Sequence, residues 1–363
     1  MTGSREAYVA LALVPGIGRA RLDVLLSRYR TANAVLSAPF DALRSVPGIS
    51  PAAATAIAEA SPANGERVLE RTAEQGGTVL TPSDDAFPAS LRTIPDAPTL
   101  LFAKGRLDLL DGPAVAIIGS RTHTRYGAQA CRHFSGGLAR AGLTVVSGMA
   151  RGLDAVAHEA CLDAAGGTVG VLGNGLGRVY PAANRRLYDR VAETGCLLTE
   201  FPPGERPNAG SFPRRNRLIA GLARVTLVIE ARGRSGTLIT VDCALQQGKE
   251  VLAVPGQITS PTSLGCNRLI QQGAKPALGL KDVLEEYGLA EDRTVPAKVP
   301  NDLSDGERHV LDLLELGVEH VDDVAARLGG SVADALALLT GLEIRGLVSQ
   351  EPGKVFRRVV GMT

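Results

Sequence analysis

Six short apolar runs between residues 114 and 254 constrain this chain more than any other feature. They are AVAII (114–118), LTVV (143–146), TVGVL (168–172), CLLT (196–199), VTLVI (225–229) and EVLAV (250–254). Each is β-rich and of strand length, and helical segments of a dozen or more residues separate most of them. This alternation predicts an α/β fold: a doubly wound, mostly parallel sheet. In such a sheet, ligands sit outside the carboxyl ends of the strands, so the residues after each run are the first place to look for chemistry.

Those ends are rich in small residues. The first run leads into Gly119, Ser120 and Arg121, and the second into Ser147, Gly148 and, slightly further on, Arg151 and Gly152. The third leads into Gly173, Asn174 and Gly175. After the fifth, RGRSGTLIT places Ser235, Gly236 and Thr237 at the start of a helix. Small residues let backbone approach a ligand, and helix N-termini donate N–H groups to phosphate. The run FPRRNRLIAG (212–221) adds Phe212, Arg214, Arg215, Asn216 and Arg217, with the nearest acids in sequence at Glu205 and Glu230. Guanidinium groups grip phosphates through a planar fork, and an aromatic ring beside them offers a stacking face for a base. Pro213 and the arginines place Phe212 in an exposed loop. The competing readings are a solvated basic turn for the arginines and a core anchor for the phenylalanine.

The same ends argue against two other chemistries. The dinucleotide fingerprint GxGxxG is absent after the first run, where Gly119 is followed by SRTHTRYG. The acid that would hold a ribose is missing as well, so no nucleotide cofactor is expected. His158 follows Asp154 by four residues, which allows either a catalytic base or a helix-stabilising pair. No serine, cysteine or carboxylate pair completes a catalytic set by spacing, and no metal site is indicated. Asp154 and Glu200 are candidates for orienting the basic residues.

Flanking segments differ in kind. Residues 1–64 carry two copies of an apolar helix, a VPGI turn and a second helix, the helix-hairpin-helix pattern. The turn exposes helix N–H groups that can hold a DNA phosphate, and the equal alternative is a small helical domain used for contacts. The first copy has Arg19 and Arg21 after its turn, whereas the second has Ser50 and Pro51. Residues 65–112 read as a mixed connection punctuated by Pro82, Pro88, Pro95 and Pro98, and 281–302 as a charged linker. Residues 301–363 read as a winged helix. The expected domains are thus 1–64, 65–290 and 301–363.

Charge separates these parts. Residues 119–280 hold 19 Lys and Arg against 10 Asp and Glu, while the remainder of the chain holds 20 against 28. A basic middle points to a polyanionic partner. Residues 301–363 carry 6 basic and 11 acidic residues, which suits a protein contact better than phosphate. No stretch approaches the roughly 20 apolar residues of a membrane span, and five widely spaced cysteines without a CxxC pair fit a reducing cytoplasm.

Taken together, GSRTHTRYG (119–127), SGMARGLDAVAH (147–158), YPAANRRL (180–187), TEFPPG (199–204), FPRRNRLIAGL (212–222), RSGTLIT (234–240) and SLGCNRLIQQGA (263–274) closely resemble the DNA-processing protein A family, also called DprA or Smf. The resemblance implies an extended Rossmann-like fold used without a cofactor and without known catalysis. It also implies a cytoplasmic homodimer that binds and protects single-stranded DNA and loads the RecA recombinase onto it during natural transformation. Carried onto this chain, it places Arg121 on a phosphate, Phe212, Asn216 and Arg217 in the FPxRNR run, and Ser235 to Thr237 in the SGT turn. Two family lysines are missing: Ala182 follows the YP pair, and Asn208, Ala209 and Gly210 stand before the phenylalanine. Arg185, Arg206 and Arg214 are candidates to replace their charge.

The rival from the enzyme class is a nucleotide phosphoribohydrolase of the lysine-decarboxylase-like fold. Its PGGxGTxxE motif is broken here, because Thr240 stands where the glutamate would be.

Overall fold

A computed structural model describes residues 4–233, 235–289, 303–314, 319–345, 347–351 and 353–358. Arg234, at the head of the RSGTLIT run, and most of the expected linker lie outside the described residues. The chain divides into two units, up to residue 293 and from residue 294.

The first unit is built on nine strands: β1 (Thr78–Leu80), β2 (Leu101–Gly105), β3 (Ala114–Ile118), β4 (Thr144–Ser147), β5 (Thr168–Val171), β6 (Cys196–Thr199), β7 (Val225–Val228), β8 (Glu250–Ala253) and β9 (Lys275–Pro276). Their order is β1-β2-β6-β5-β4-β3-β7-β8-β9. Strands β3 to β9 pair in parallel, and β2 pairs antiparallel with both β1 and β6. All six expected runs are strands, each within a residue of its expected ends.

The sheet is covered on both faces, as a parallel sheet must be. Ala114, Ala116 and Ile118 of β3 face one core with Leu218, Ile219 and Val241. Val115 and Ile117 face the opposite core with Phe134, Leu138 and Val156. The helix Ser211–Leu222 therefore lies on one face, while helices Arg125–Arg140 and Leu153–Asp163 lie on the other. Full burial of each such Val, Leu or Ile contributes about 1.5–3 kcal/mol.

Two stretches differ from the sequence reading. Residues 65–112 are not merely a connection: they hold most of the helix Pro62–Glu74 and the two antiparallel strands. Likewise, the linker does not begin at 281. Val283 and Leu284 are buried, and the Tyr287 hydroxyl donates to the Ala114 carbonyl at 2.6 Å.

The N-terminal segment forms helices Arg5–Ala12, Arg19–Tyr29, Ala32–Leu36, Phe40–Arg44 and Pro51–Glu59. Both VPGI turns need their glycine, since Gly16 and Gly48 have φ of 81° and 83°. The apolar faces of these helices share one core with Phe102, Leu172, Leu187 and Leu197. The two basic residues after the first turn are both engaged locally: Arg19 pairs with Asp23 at 2.8 Å, and Arg21 donates to the Gly16 carbonyl at 2.5 Å.

The second unit contains helices Asp305–Leu313, Val321–Leu328 and Val332–Ile344 and strands β10 (Glu319–His320), β11 (Val348–Glu351) and β12 (Val355–Arg358). The strands form an antiparallel sheet in the order β10-β12-β11 over a core that includes Val310, Val324, Leu339 and Phe356. Among the described residues no single helix is long and apolar enough to cross a membrane.

Candidate nucleic-acid interface

Strand β3 lies between β4 and β7, so the direction of winding changes at its carboxyl end. The helix Arg125–Arg140 follows that end, and its N-terminus is where a doubly wound nucleotide binder holds phosphate. Here the position is already taken. Glu230, 1% exposed, accepts from Thr124 N at 2.9 Å and from Thr124 Oγ1 at 2.5 Å. A Cβ on Gly127 would stand 2.4 Å from that carboxylate. Glu230 thus holds the N-cap Thr124, whose Oγ1 in turn accepts from Gly127 N at 3.1 Å.

The arginine run lies in the first turns of the helix Ser211–Leu222 rather than in a loop, and its three arginines have different fates. Arg215 is 4% exposed and points inward. Its Nη1 donates to the Gly148 carbonyl at 2.5 Å and also to the Val171 carbonyl, tying the ends of β4 and β5 together. Burial pulls its pKa down to about 10, with Asp154 opposing and Arg121 adding to the fall. Asp154 is itself pushed upward by burial, against the pull of Arg215. Arg217 is also inward-facing: its Nη2 meets Glu200 at 2.5 Å, and its Nε lies 3.2 Å from Asp96. Burial raises the pKa of Glu200, and Arg217 and Arg214 resist the rise. The cluster is therefore neutralised in space, though not by its neighbours in sequence. Arg214 alone is exposed, with its guanidinium 5.4 Å from the Phe201 ring centroid.

Asn216 is buried, as are Ser120, Ser147 and Gly148. Ser147 Oγ donates to the Ile117 carbonyl at 2.6 Å, and Ser120 Oγ to the Thr122 carbonyl at 2.6 Å. Gly119 and Gly148 are forced by contact: a Cβ would meet Leu153 at 2.4 Å and Arg215 Nη1 at 2.5 Å, respectively. Thr237 donates to the Gly119 carbonyl at 3.2 Å, which brings the SGT turn beside the end of β3. Gly236 is exposed, and Ser235 Oγ is buried with no partner among the described residues.

Phe212 lies half-buried on the other side of the same edge. A Cβ on Gly173 would stand 2.8 Å from its ring, so the glycine loop after β5 makes room for it. The Arg121 guanidinium lies 5.7 Å from the ring centroid, and the Tyr180 ring lies 5.5 Å away, tilted by 34°. Arg121 is exposed, and Tyr180 is 47% exposed. Asn184 fixes the segment after Tyr180 by donating to the Met149 and Ala150 carbonyls, both at 3.0 Å. The surface beside it carries Arg151, Ala182, Arg185 and Arg186, all exposed. Tyr180 and Asn184 were not singled out by the sequence, although both stand in YPAANRRL; only their place next to Phe212 and to the loop after β4 gives them a part.

His158 takes neither of its expected roles. It is fully buried, and its Nδ1 meets Thr168 Oγ1 at 2.7 Å while that hydroxyl donates to the Val145 carbonyl. Burial, followed by the charge of Arg215, lowers its pKa to about 3. It is a neutral core group that bonds to Thr168.

Three family profiles match the chain in order: a tandem SAM-like helix-hairpin-helix over residues 9–61, the DNA recombination-mediator protein A over residues 78–288, and the DprA winged helix domain over residues 294–354. Protein Smf from Synechocystis is 33% identical over 99% of this chain and 100% of its own length. The chain belongs to the DNA recombination-mediator protein A family. Within the DprA family, the crystal structure of DNA processing protein A from Streptococcus pneumoniae superposes with a TM-score of 0.69 at 36% identity, over 79% of this chain and 99% of that one. DNA processing protein A from Helicobacter pylori, whose structure concerns its single-stranded DNA binding mode, gives 0.53 at 29% identity over 58% and 95%.

Proposed function

We propose that this chain binds single-stranded DNA along the carboxyl edge of its sheet and delivers it to the RecA recombinase, as a cytoplasmic homodimer, without a cofactor and without catalysing a reaction. The observation that carries the reading is the Phe212 ring, with the Arg121 guanidinium 5.7 Å and the Tyr180 ring 5.5 Å from its centroid. A half-buried and an exposed aromatic beside exposed arginines suit a strand whose bases are unstacked, because stacking needs a free base and the guanidinium needs a phosphate. Arg121, Arg151, Arg185 and Arg214 are exposed cations of the site, with Arg186 beside them. Arg215, Asn216, Arg217, Ser120, Ser147 and Gly148 shape it from beneath, and Ser235, Gly236 and Thr237 border it. Arg185, Arg206 and Arg214 are all exposed and available to stand in for the lysines missing at Ala182 and Ala209.

The family's mediator role supports delivery to a recombinase. Thr240, where a phosphoribohydrolase would need its glutamate, is 3% exposed inside the helix Gly236–Gln246. The reading is tested by a mobility-shift titration of single- and double-stranded DNA at two salt concentrations. Preference for the single strand and marked weakening with salt are expected; equal affinity for duplex would refute it.

A further inference from the structure

The second unit presents a face that the DNA-binding reading leaves unused. In a helix-turn-helix pair, the second helix is the one that enters a major groove. Here that helix is Val332–Ile344, joined to Val321–Leu328 by Gly329, Gly330 and Ser331. Its sequence, VADALALLTGLEI, contains no lysine or arginine. Val332 and Leu336 are 44% and 36% exposed, and Ala333 and Ala337 are exposed as well. The wing arginines are engaged inside the domain: Arg357 donates to Ser349 Oγ at 3.1 Å and Arg358 to the Leu311 carbonyl at 3.2 Å.

Between this helix and Asp305–Leu313 runs an open groove of about 370 Å³. Leu328, Ala335 and Leu338 give it an apolar lining, and Asp305 and Asp334 line it with carboxylates. Gly306 forms part of the opposite wall, where a Cβ would stand 3.4 Å from Leu338. The volume accommodates one or two large aliphatic side chains.

We infer that this groove and the exposed face of Val332–Ile344 dock a basic, amphipathic helical segment of a partner protein. Charge complementarity selects that occupant. Residues 301–363 carry 11 acids against 6 bases, so nucleic acid is repelled, and a second copy of the same face would meet its own sign. A segment with leucines on one face and lysines or arginines around them fills the apolar floor and pairs with Asp305 and Asp334.

The test uses the full chain and a fluorescein-labelled amphipathic peptide of roughly 18 residues, with leucines at helical spacing and lysines elsewhere. A twin peptide carries glutamate in place of lysine. Anisotropy is expected to show salt-sensitive binding of the lysine peptide and none of the twin. Gly306→Leu, which fills the groove while favouring the helix, should weaken binding about tenfold, and Asp305→Asn should weaken it less. Circular dichroism checks that both variants fold. The inference fails if the lysine peptide does not bind, if the twin binds as well, or if Gly306→Leu has no effect. It also fails if labelled duplex DNA binds this unit and is released by the same substitutions.

Discussion

The guanidinium of Arg215 occupies the space that a side chain at residue 148 would need: a Cβ on Gly148 would stand 2.5 Å from its Nη1. The same nitrogen holds the carbonyls of Gly148 and Val171. One buried cation thereby fixes the ends of two adjacent strands beneath the surface that carries Phe212. Arg215→Met removes the cation, leaves two carbonyls and the buried Asp154 without it, and should cost ~3–5 kcal/mol of stability. Thermal unfolding should show a fall in Tm on the order of 10 °C. An unchanged Tm would mean that the guanidinium is not structural.

Phe212→Ala separates platform from core. The ring is half-buried and makes its described contacts with Arg121, Tyr180 and the Gly173 loop. The variant should lose ~1–3 kcal/mol of single-stranded DNA affinity with similar loss across base sequences. A full core truncation would instead cost ~3–5 kcal/mol of stability. A large drop in Tm with affinity retained at low temperature would decide for the core. Tyr180→Ala should weaken binding in the same direction, because its ring extends the same stack.

Arg121→Ala should weaken single-stranded DNA binding by ~1–3 kcal/mol and reduce the salt slope by about one phosphate. Titrations at several salt concentrations check both quantities. Unchanged affinity in a folded variant would remove Arg121 from the site.

His158 gives the first unit a defined acid sensitivity. Its folded pKa, about 3, lies below the ordinary 6.5, so the unfolded chain binds the extra proton between those values. Stability from this group is therefore present above pH 6.5 and is lost as pH falls, by ~1.4 kcal/mol per pH unit within that window. His158→Gln keeps a donor for Thr168 and removes the titration. Urea midpoints at pH 7 and pH 4.5 should show wild type losing ~2–3 kcal/mol more than the variant. Equal losses would contradict a buried neutral imidazole.

The central sheet was legible because its six runs are short, apolar and separated by helical stretches. β1, β2 and β9 were not: they have at most five residues, lie among prolines or include one, and belong to the edge region of the sheet. The glycine and serine turns were legible as lying at the carboxyl edge for the same reason that the strands were visible. Two acidic partners of the arginines were legible: Asp154 and Glu200, read from the sequence as orienting the basic residues, act on Arg215 and Arg217. Asp96, which also meets Arg217, was hidden because it comes from the stretch read as a connection, and Glu230, which reaches Thr124 across 106 residues, was hidden by distance along the chain. Local sequence therefore showed a basic cluster with no acid adjacent in sequence, whereas folding buries Arg215, half-buries Arg217 against Glu200 and leaves Arg214 outside. Phe212 was misplaced in a loop because Pro213 reads as a breaker, although the first turn of a helix tolerates proline.

The central claim is that the strand lies on the Phe212 edge with a base against the aromatic pair. Photocrosslinking of a 5-iodouracil-substituted single strand to the full chain, followed by peptide mass spectrometry, tests it most directly. The predicted adducts fall on Phe212 or Tyr180 and decline when unlabelled single strand competes. Adducts confined to the helical hairpins of residues 5–59, or to residues 303–358, with none near Phe212, would contradict the account.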